Sequence, residues 1–522
     1  MLKFGKQYVG KLSWAMVVFS ITLFSFPIVY ADVGLNLKHN VDRNTYVKGQ
    51  QIIVNLEHTR AAQNNIRYHW QNYKGEKLTQ PKHLDSGIET IIHAPVGPLP
   101  RYLGLVFTPV SNAVALPGRE PGEAKEFGFA VFPDAPPEKG KADPDHWMGM
   151  VHADLEDPWL LGWVKTVTWK TTSAKWWHSK MEKRRSAGSV ELPIITGSEW
   201  KSDDYKAIAD DQLKRLYKKV RDYLAADRAT LYWETGIEEN LGGRFERPFY
   251  FKNLAAKSDV IRTAANEVNP DIKLIFQVAN MHYEDVGSFM RSDASKNYDV
   301  LALHPYKWPN FPPPEKWLKN FLSEASAQMK ASGRELPIWV TEIGAPHRGN
   351  CPTCFFGYPK DNNSVPGLSN QEMISYMIKF HVIAVQYGVE KVFWYNYKDR
   401  GSEREFAEDH FGLVDYWGYP KPAYLAYINL NQSLVDKVFT NVLRKNDIWA
   451  YEFDGDIEKV TVAWSFPAPL TKVTLEELGI SALSDADIRV TNALGDPLKL
   501  EQNQVVLGQE PIFIHTSLIR SE

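Results

Sequence analysis

The chain has 522 residues, 44% of them hydrophobic and 24% charged, with a formal net charge of −3 and only two cysteines. That length is too great for one ordinary sandwich and fits a barrel of about 250–300 residues with small flanking modules. The mild acidity argues against nucleic acid or an anionic membrane surface as the main partner.

Residues 1–31 read as an export signal. Lys3, Lys6 and Lys11 form a positive start, Trp14 to Tyr30 is largely apolar, and Val29-Tyr30-Ala31 ends in a small residue before Asp32. Cleavage is the expectation, with an exported, periplasmic or secreted product. The apolar run is near the length that spans a bilayer, so an uncleaved anchor is the alternative and the one route to stable membrane insertion. No cysteine lies near the site for lipid attachment, and no later segment is apolar enough to span.

Residues 33–133 alternate with period two in Gln51–Leu56, Ile66–Trp70, Tyr102–Phe107 and Glu126–Phe132, and Gly, Pro and Asn mark the turns. This predicts an N-terminal β-sandwich that serves as a packing or carbohydrate-binding module. Residues 134–145 are rich in Pro and charge and read as a linker.

From His146 the rhythm becomes strand then helix. Strands are expected at Trp147–His152, Val164–Trp169, Leu192–Gly197, from Leu231, at Ile272–Val278, Val300–His304, Leu336–Thr341 and Val392–Asn396. Helices are expected at Asp203–Ala226, Phe251–Val268, Trp317–Ser332 and Asn370–Gly388, each with apolar residues at helical spacing. Eight such units over residues 146–436 predict an α/β fold, a (β/α)8 TIM barrel, with its active site at the strand C-termini. Residues 439–522 return to alternation in Ile448–Phe453, Lys459–Trp464 and Pro511–Ile514, which predicts a C-terminal β-sandwich.

Two carboxylates stand out within this frame. The fourth strand, Leu231-Tyr232-Trp233-Glu234-Thr235, breaks into Gly236-Ile237-Glu238-Glu239-Asn240, and the seventh runs straight into Glu342. An acidic residue after a strand is commonly a helix cap or a solvated loop residue. Two at the C-terminal ends of barrel strands suit glycoside chemistry, where one carboxyl protonates the leaving oxygen and the other attacks the anomeric carbon.

Four motifs carry a family resemblance. Trp233-Glu-Thr-Gly-Ile-Glu-Glu-Asn240 resembles the Trp-Glu-Ile-Gly-Asn-Glu-Pro-Asn pattern at strand 4 of clan A glycoside hydrolases. Thr341-Glu342-Ile343-Gly344 is similar to the clan's strand 7 nucleophile motif, and His304-Pro305-Tyr306 to its strand 6 end. Phe411-Gly412-Leu413-Val414-Asp415 followed by Pro420-Lys421-Pro422-Ala423-Tyr424 resembles the approach to its last barrel helix. The likeness covers residues 146–436 and is greatest to family 39 and related exopolysaccharide glycosidases. It implies a retaining enzyme with Glu238 as acid/base and Glu342 as nucleophile. Glu239, where the pattern has Pro, is the rival for the acid role, and Glu234 reads as buried structure.

The same resemblance places Trp394 as the aromatic floor of the −1 sugar and Tyr306 beside the nucleophile. His152, Lys165, Trp169, Trp200, Asn280, His304, Trp308 and His347 fall at or near strand ends and complete the expected substrate-binding set. Any one of the tryptophans is equally well explained by core packing. Cys351 and Cys354, in Cys-Pro-Thr-Cys just after Glu342, are expected to form a local disulfide that stiffens a loop. No cofactor is called for. His152, Asp154 and Glu156 alternate but lack a tight metal-ligand spacing, so no metal is expected.

Two departures bear on the substrate. Ile237 stands where the family has the Asn that binds the sugar 2-hydroxyl, and Lys165 is the nearest equivalent to the family's strand 2 Arg. The sequence therefore predicts an exported retaining hydrolase of a complex polysaccharide or exopolysaccharide, acting on a sugar altered at C2 or weakly. The alternative is a carbohydrate-binding pseudoenzyme in polysaccharide export or surface attachment.

Overall fold

A computed structural model describes residues 31–518 apart from short gaps, the longest of which are 137–143, 168–173, 348–353, 356–363 and 481–487. The export segment 1–30 and the 2-cysteine motif's Cys351 thus lie outside the described residues, as do Trp169, Asn280, Trp308, Asp154 and Glu156.

The N-terminal alternation builds two facing sheets. One runs in the order Thr45–Val47, Lys125–Phe132, Tyr102–Pro109, Ile66–Gln71, Lys82–His83, and the other in the order Leu35–His39, Ile53–His58, Glu89–His93. Val54, Leu56 and Ile92 from the smaller sheet meet Trp70, Leu105, Phe107 and Phe129 from the larger in one core. At the C-terminal end, Val438–Lys445, Ile448–Asp454, Glu458–Ser465, Ile512–Ser517 and Ile488–Thr491 form a sheet, backed by the pair Leu470–Thr474 and Gln504–Gly508. Period two divides this sheet between two cores. Ile448, Ala450, Ala463 and Ile514 face the strand pair, while Tyr451, Phe453, Val462 and Trp464 join the core of the barrel.

The barrel itself is closed and parallel. Its strands are β1 (Met148–Val151), β2 (Gly162–Val167), β3 (Ser189–Ile195), β4 (Tyr232–Thr235), β5 (Lys273–Ala279), β6 (Val300–His304), β7 (Ile338–Ile343) and β8 (Val389–Trp394). The helices between and after them are α1 (Ala174–Ser186), α2 (Asp210–Ala226), α3 (Tyr250–Val268), α4 (Tyr283–Met290), α5 (Leu318–Ala331), α6 (Asn370–Gln386) and α7 (Pro422–Leu434). Among the described residues no helix joins β1 to β2.

One helix boundary differs from expectation by more than two residues. α2 starts at Asp210 and not at Asp203. Asn253 of α3 holds the preceding segment against the barrel, accepting from the Ile208 N–H at 2.8 Å and donating to the Lys206 carbonyl at 2.9 Å. Those tertiary hydrogen bonds take the backbone groups that a helix would have used. By contrast α6 starts where its sequence signals, at a reciprocal capping box between Ser369 and Glu372.

Inside the barrel, side chains stack in layers because every second residue of a strand points inward. A lower layer is aromatic. Trp163 lies edge-on to Tyr232, Trp339 and Phe393, with ring centroids 5.1, 5.3 and 6.2 Å away. Gly149 on β1 leaves room for this layer, since a Cβ there would stand 2.4 Å from the Phe393 ring. Two residues further along the same strands come Lys165, Glu234 and Thr341, which form the polar layer at the barrel mouth.

Candidate active site

Lys165 is the hub of that polar layer. It is fully buried, and its ammonium lies 2.9 Å from Glu234 Oε2, 3.0 Å from Glu342 Oε1 and 3.2 Å from His304 Nε2. An ammonium has three protons and no lone pair, so it can only donate, and these three are the nearest of its four acceptors. Burial opposes its charge, but Glu234 and Glu342 more than offset this and hold its pKa above the ordinary lysine value. Glu234, also fully buried, has its pKa raised by burial, with Lys165 working in the opposite direction.

β7 supplies two neighbouring residues to the same spot. The Lys165 ammonium lies 3.4 Å from Thr341 Oγ1 as well as 3.0 Å from Glu342, although adjacent strand residues normally point to opposite faces. The pairing of β7 with β8 shifts register between Val340 and Ile343. A bulge of this kind re-aims a side chain, and here it carries Glu342 into the mouth beside Thr341.

Glu238 arrives from a tightly built turn after β4. Gly236 has φ +73°, and a Cβ there would lie 2.6 Å from Glu239 Cγ and 2.9 Å from the Trp200 indole nitrogen. Glu238 itself adopts φ +45°, a left-handed conformation that costs a non-glycine residue energy and persists only where its surroundings impose it. Those surroundings are explicit. Asn240 accepts from the Ala279 N–H at 2.8 Å and donates to Asp285 at 2.7 Å and to the Ala279 carbonyl. Gln277 on β5 donates to the Gly236 carbonyl at 3.1 Å and to Glu234 at 3.0 Å. Glu239 accepts from the Trp200 indole at 2.8 Å and pairs with Arg244 at 2.9 Å. The turn therefore separates its two acids. Glu239 is buried and fastened to the scaffold, while Glu238 keeps 27% of its side chain exposed and turns to the mouth.

There Glu238 Oε1 lies 3.1 Å from His304 Nδ1, at the end of β6. Glu238, His304 and Glu342 each present a polar atom within 4.8 Å of the others. Burial raises the pKa of Glu238, only partly countered by Lys165. His304 is fully buried, and burial together with the charge of Lys165 pushes its pKa down to about 3, so the ring is neutral. Three such ligand atoms have the spacing of a cation site, and the Lys165 ammonium already lies against two of the three residues, Glu342 and His304.

The other expected residues divide three ways. Tyr306 is buried near the pair; burial and the charges of Glu342, Tyr395, Glu238 and Glu408 hold its phenol well above its ordinary pKa. His152 stands at the end of β1, open to solvent, with its ring edge-on to Tyr395. Three expectations are corrected. Trp200 is buried under the acid-bearing turn, with Lys257 over its ring at 4.6 Å, and is a support and not a sugar platform. Trp394 points out of the barrel onto Tyr376 and His381 of α6, because Phe393 holds the inward position on β8. The His347 ring pairs with Asn370, and its backbone N–H donates to the His410 carbonyl. Trp169, Asn280, Trp308 and the Cys351–Cys354 disulfide cannot be placed in the site, as they fall on residues outside the description or, for Cys354, on an undescribed side chain.

Two residues absent from the sequence reading belong to the mouth. Tyr395, one position past the expected Trp394, accepts from Arg400 at 3.1 Å and donates to Glu408 Oε2 at 3.4 Å. Burial raises the pKa of Glu408, and the charges of Glu342 and Glu238 add to it. Strand parity from Phe393 pointed to Tyr395. Nothing local marked Glu408, which reaches the mouth from the short helical turn Ala407–His410.

No protein-family model matches the chain, and no curated protein does. Solved structures do match. A family 39 glycoside hydrolase from the gut symbiont Bacteroides cellulosilyticus WH2 superposes with a TM-score of 0.62 at 17% identity, over 92% of this chain and 100% of that one. A family 30 endoxylanase from Clostridium papyrosolvens C71 superposes with a TM-score of 0.48 at 10% identity, over 73% and 98%. The likeness to the family 39 enzyme shows the fold, a (β/α)8 barrel flanked by β-sandwich modules, along almost the whole chain.

Proposed function

We propose that the protein is an exported retaining glycoside hydrolase that cleaves a complex polysaccharide, such as an exopolysaccharide, by double displacement. The observation that carries this reading is the pairing of Glu238 and Glu342 at the ends of β4 and β7, with facing atoms within 4.8 Å. Retaining enzymes hold their two carboxyl groups about 5–5.5 Å apart, whereas inverting ones need room for a water. The environments differ in the direction the chemistry needs. Burial favours the protonated form of Glu238, which suits a general acid, and Glu342 is held in an ion pair with Lys165 at 3.0 Å. Lys165 thus occupies the place in which the family carries Arg.

Attack by Glu342 on the anomeric carbon gives a glycosyl ester while Glu238 protonates the leaving oxygen. Glu238 then takes a proton from water as that water displaces Glu342. Tyr306, Tyr395 and His152 line the approach, and their hydroxyl, ring and imidazole groups suit a sugar. Purified protein is expected to release reducing sugar from a panel of acidic and neutral polysaccharides. Glu238→Gln and Glu342→Gln each lower that rate on the order of 10²–10⁴-fold with unchanged circular dichroism. Equal rates in wild type and both variants sink the proposal.

Ile237 favours a second reading. Its half-buried apolar side chain precedes Glu238, where a 2-hydroxyl ligand is expected. A carbohydrate-binding pseudoenzyme binds glycan equally well with either Glu replaced and releases no sugar from any member of the panel.

A further inference from the structure

From the hydrogen-bond geometry around Lys165 we infer that His304 is a positioning residue, locked by Lys165 in its Nδ1–H tautomer, and that it confines the catalytic proton of Glu238 to Oε2. This rests on Glu238 as the acid/base of the proposed reaction.

Lys165 Nζ stands 3.2 Å from His304 Nε2 and can only donate. Nε2 must therefore be the lone-pair nitrogen. His304 is buried and neutral, so its single ring proton sits on the other nitrogen, Nδ1. The Thr341 hydroxyl, 3.0 Å from Nε2 and hydrogen-bonded to Glu234, could accept from an Nε2–H, but that hydrogen would face the Lys165 ammonium, so Nε2 keeps its lone pair. Nδ1–H then points at Glu238 Oε1, 3.1 Å away. The carbonyl oxygen of a carboxylic acid is a better acceptor than its hydroxyl oxygen, so the oxygen that takes this hydrogen bond is the unprotonated one. When Glu238 is protonated, the proton is on Oε2.

The consequence follows both half-reactions. In the first, Glu342 Oε1 is held by Lys165, so Oε2 forms the bond to the anomeric carbon. The glycosidic C–O bond breaks, and the Glu238 Oε2 proton passes to the leaving oxygen. Glu238 is then a carboxylate, and the His304 N–H to Oε1 becomes a charge-assisted hydrogen bond. In the second, Oε2 accepts the proton of the incoming water, the water oxygen bonds to the anomeric carbon, and the ester to Glu342 breaks. One carboxyl oxygen is the anchor throughout and the other is the proton carrier.

The groups that face Glu238 are Lys165 from β2, His304 and Tyr306 from the end of β6, Glu342 from β7 and Glu408 after β8. Of these, His304 is the one within hydrogen-bonding distance of its carboxyl in the contacts described. Its donor favours the ionised form of Glu238 and so opposes the effect of burial.

Neutron diffraction from crystals of the deuterated full chain, grown near pH 5, reads the assignment without turnover. The expected map has deuterium on His304 Nδ1, none on Nε2, and on Glu238 only at Oε2. Deuterium on Nε2 overturns the tautomer lock, and deuterium on Glu238 Oε1 overturns the proton placement. Kinetics supply a readout that packing alone does not move. His304→Phe, which removes the donor, shifts the alkaline limb of kcat/KM upward by about one pH unit, and His304→Asn, whose amide donates from nearly the same place, brings it back. Coincident limbs in all three proteins refute the positioning role. Absence of hydrolysis by the wild type contradicts the glycosidase reading alone, because the neutron map is independent of it.

Discussion

Among the described residues two lysines on the barrel strands are buried, Lys165 and Lys391, and they work in opposite ways. Lys391 sits in the lower half. Its ammonium donates to the Pro144 carbonyl at 2.7 Å and the His146 carbonyl at 3.1 Å, and lies over the rings of Trp163 at 4.8 Å and Trp339 at 5.3 Å. These partners are neutral and do not titrate. Lys165, two residues above Trp163 on β2, instead meets two carboxylates and a histidine. A buried cation that donates to backbone carbonyls ties the linker and the strand ends together. The same cation surrounded by ionisable groups fixes where their protons reside. The difference teaches that burial of charge is a structural feature at one end of this barrel and a chemical one at the other.

The sharpest way to break this comparison is to remove each charge in turn. Lys165→Met leaves Glu234 and Glu342 buried without their cation. It is expected to cost about 3–5 kcal/mol of stability and to lower kcat/KM on the order of 10³-fold, measured with denaturant unfolding and sugar release. Lys391→Met keeps the aliphatic stem and orphans two carbonyls, for about 1–3 kcal/mol, with activity within twofold of wild type. Matching activity losses in both variants erase the distinction between the layers.

A second test concerns which aromatic residue of β8 faces the mouth. Tyr395→Phe removes the hydroxyl that links Arg400 to Glu408 and is expected to lower kcat/KM about tenfold, equivalent to about 1.4 kcal/mol. Trp394→Phe lies between β8 and α6, so it lowers thermal stability and leaves kcat/KM nearly unchanged. The reverse pattern restores Trp394 to the site.

The smallest effect is on stability against pH. Glu238 has a folded pKa raised by burial, so the stability it contributes is complete below its unfolded pKa and is lost as pH rises through the raised value. Glu238→Gln removes this loss. Its Tm is expected to exceed that of the wild type by roughly 1–3 °C at pH 7 and to match it near pH 4. A variant less stable than wild type at both pH values contradicts a desolvated acid.

Much of the fold was legible because periodicity is local. Strands that alternate, such as Ile448–Asp454, and helices with a regular apolar face, such as α6, stand where their patterns predict. The start of α2 was not, because Asn253, more than forty residues away, decides it. In the site, Glu238, Glu342, Lys165, His304 and Tyr306 converge as motif order implied. Trp394 was misplaced by one residue, an error that strand parity turns through half a circle. Trp200 and His347 show the limit of reading strand ends, since a residue past a strand points to the mouth, to the scaffold or to a neighbouring loop according to contacts made far along the chain. Glu408 was invisible for the same reason.

The central claim is that Glu342 forms a covalent bond to the sugar. Incubation with activated 2-deoxy-2-fluoro glycosides, followed by proteolysis and mass spectrometry, tests it directly. The account predicts one fluoroglycosyl group per chain, on the peptide that contains Glu342, and none on Glu342→Gln. An unlabelled, catalytically active protein, or a label on Glu238, Glu239 or Glu408, contradicts it.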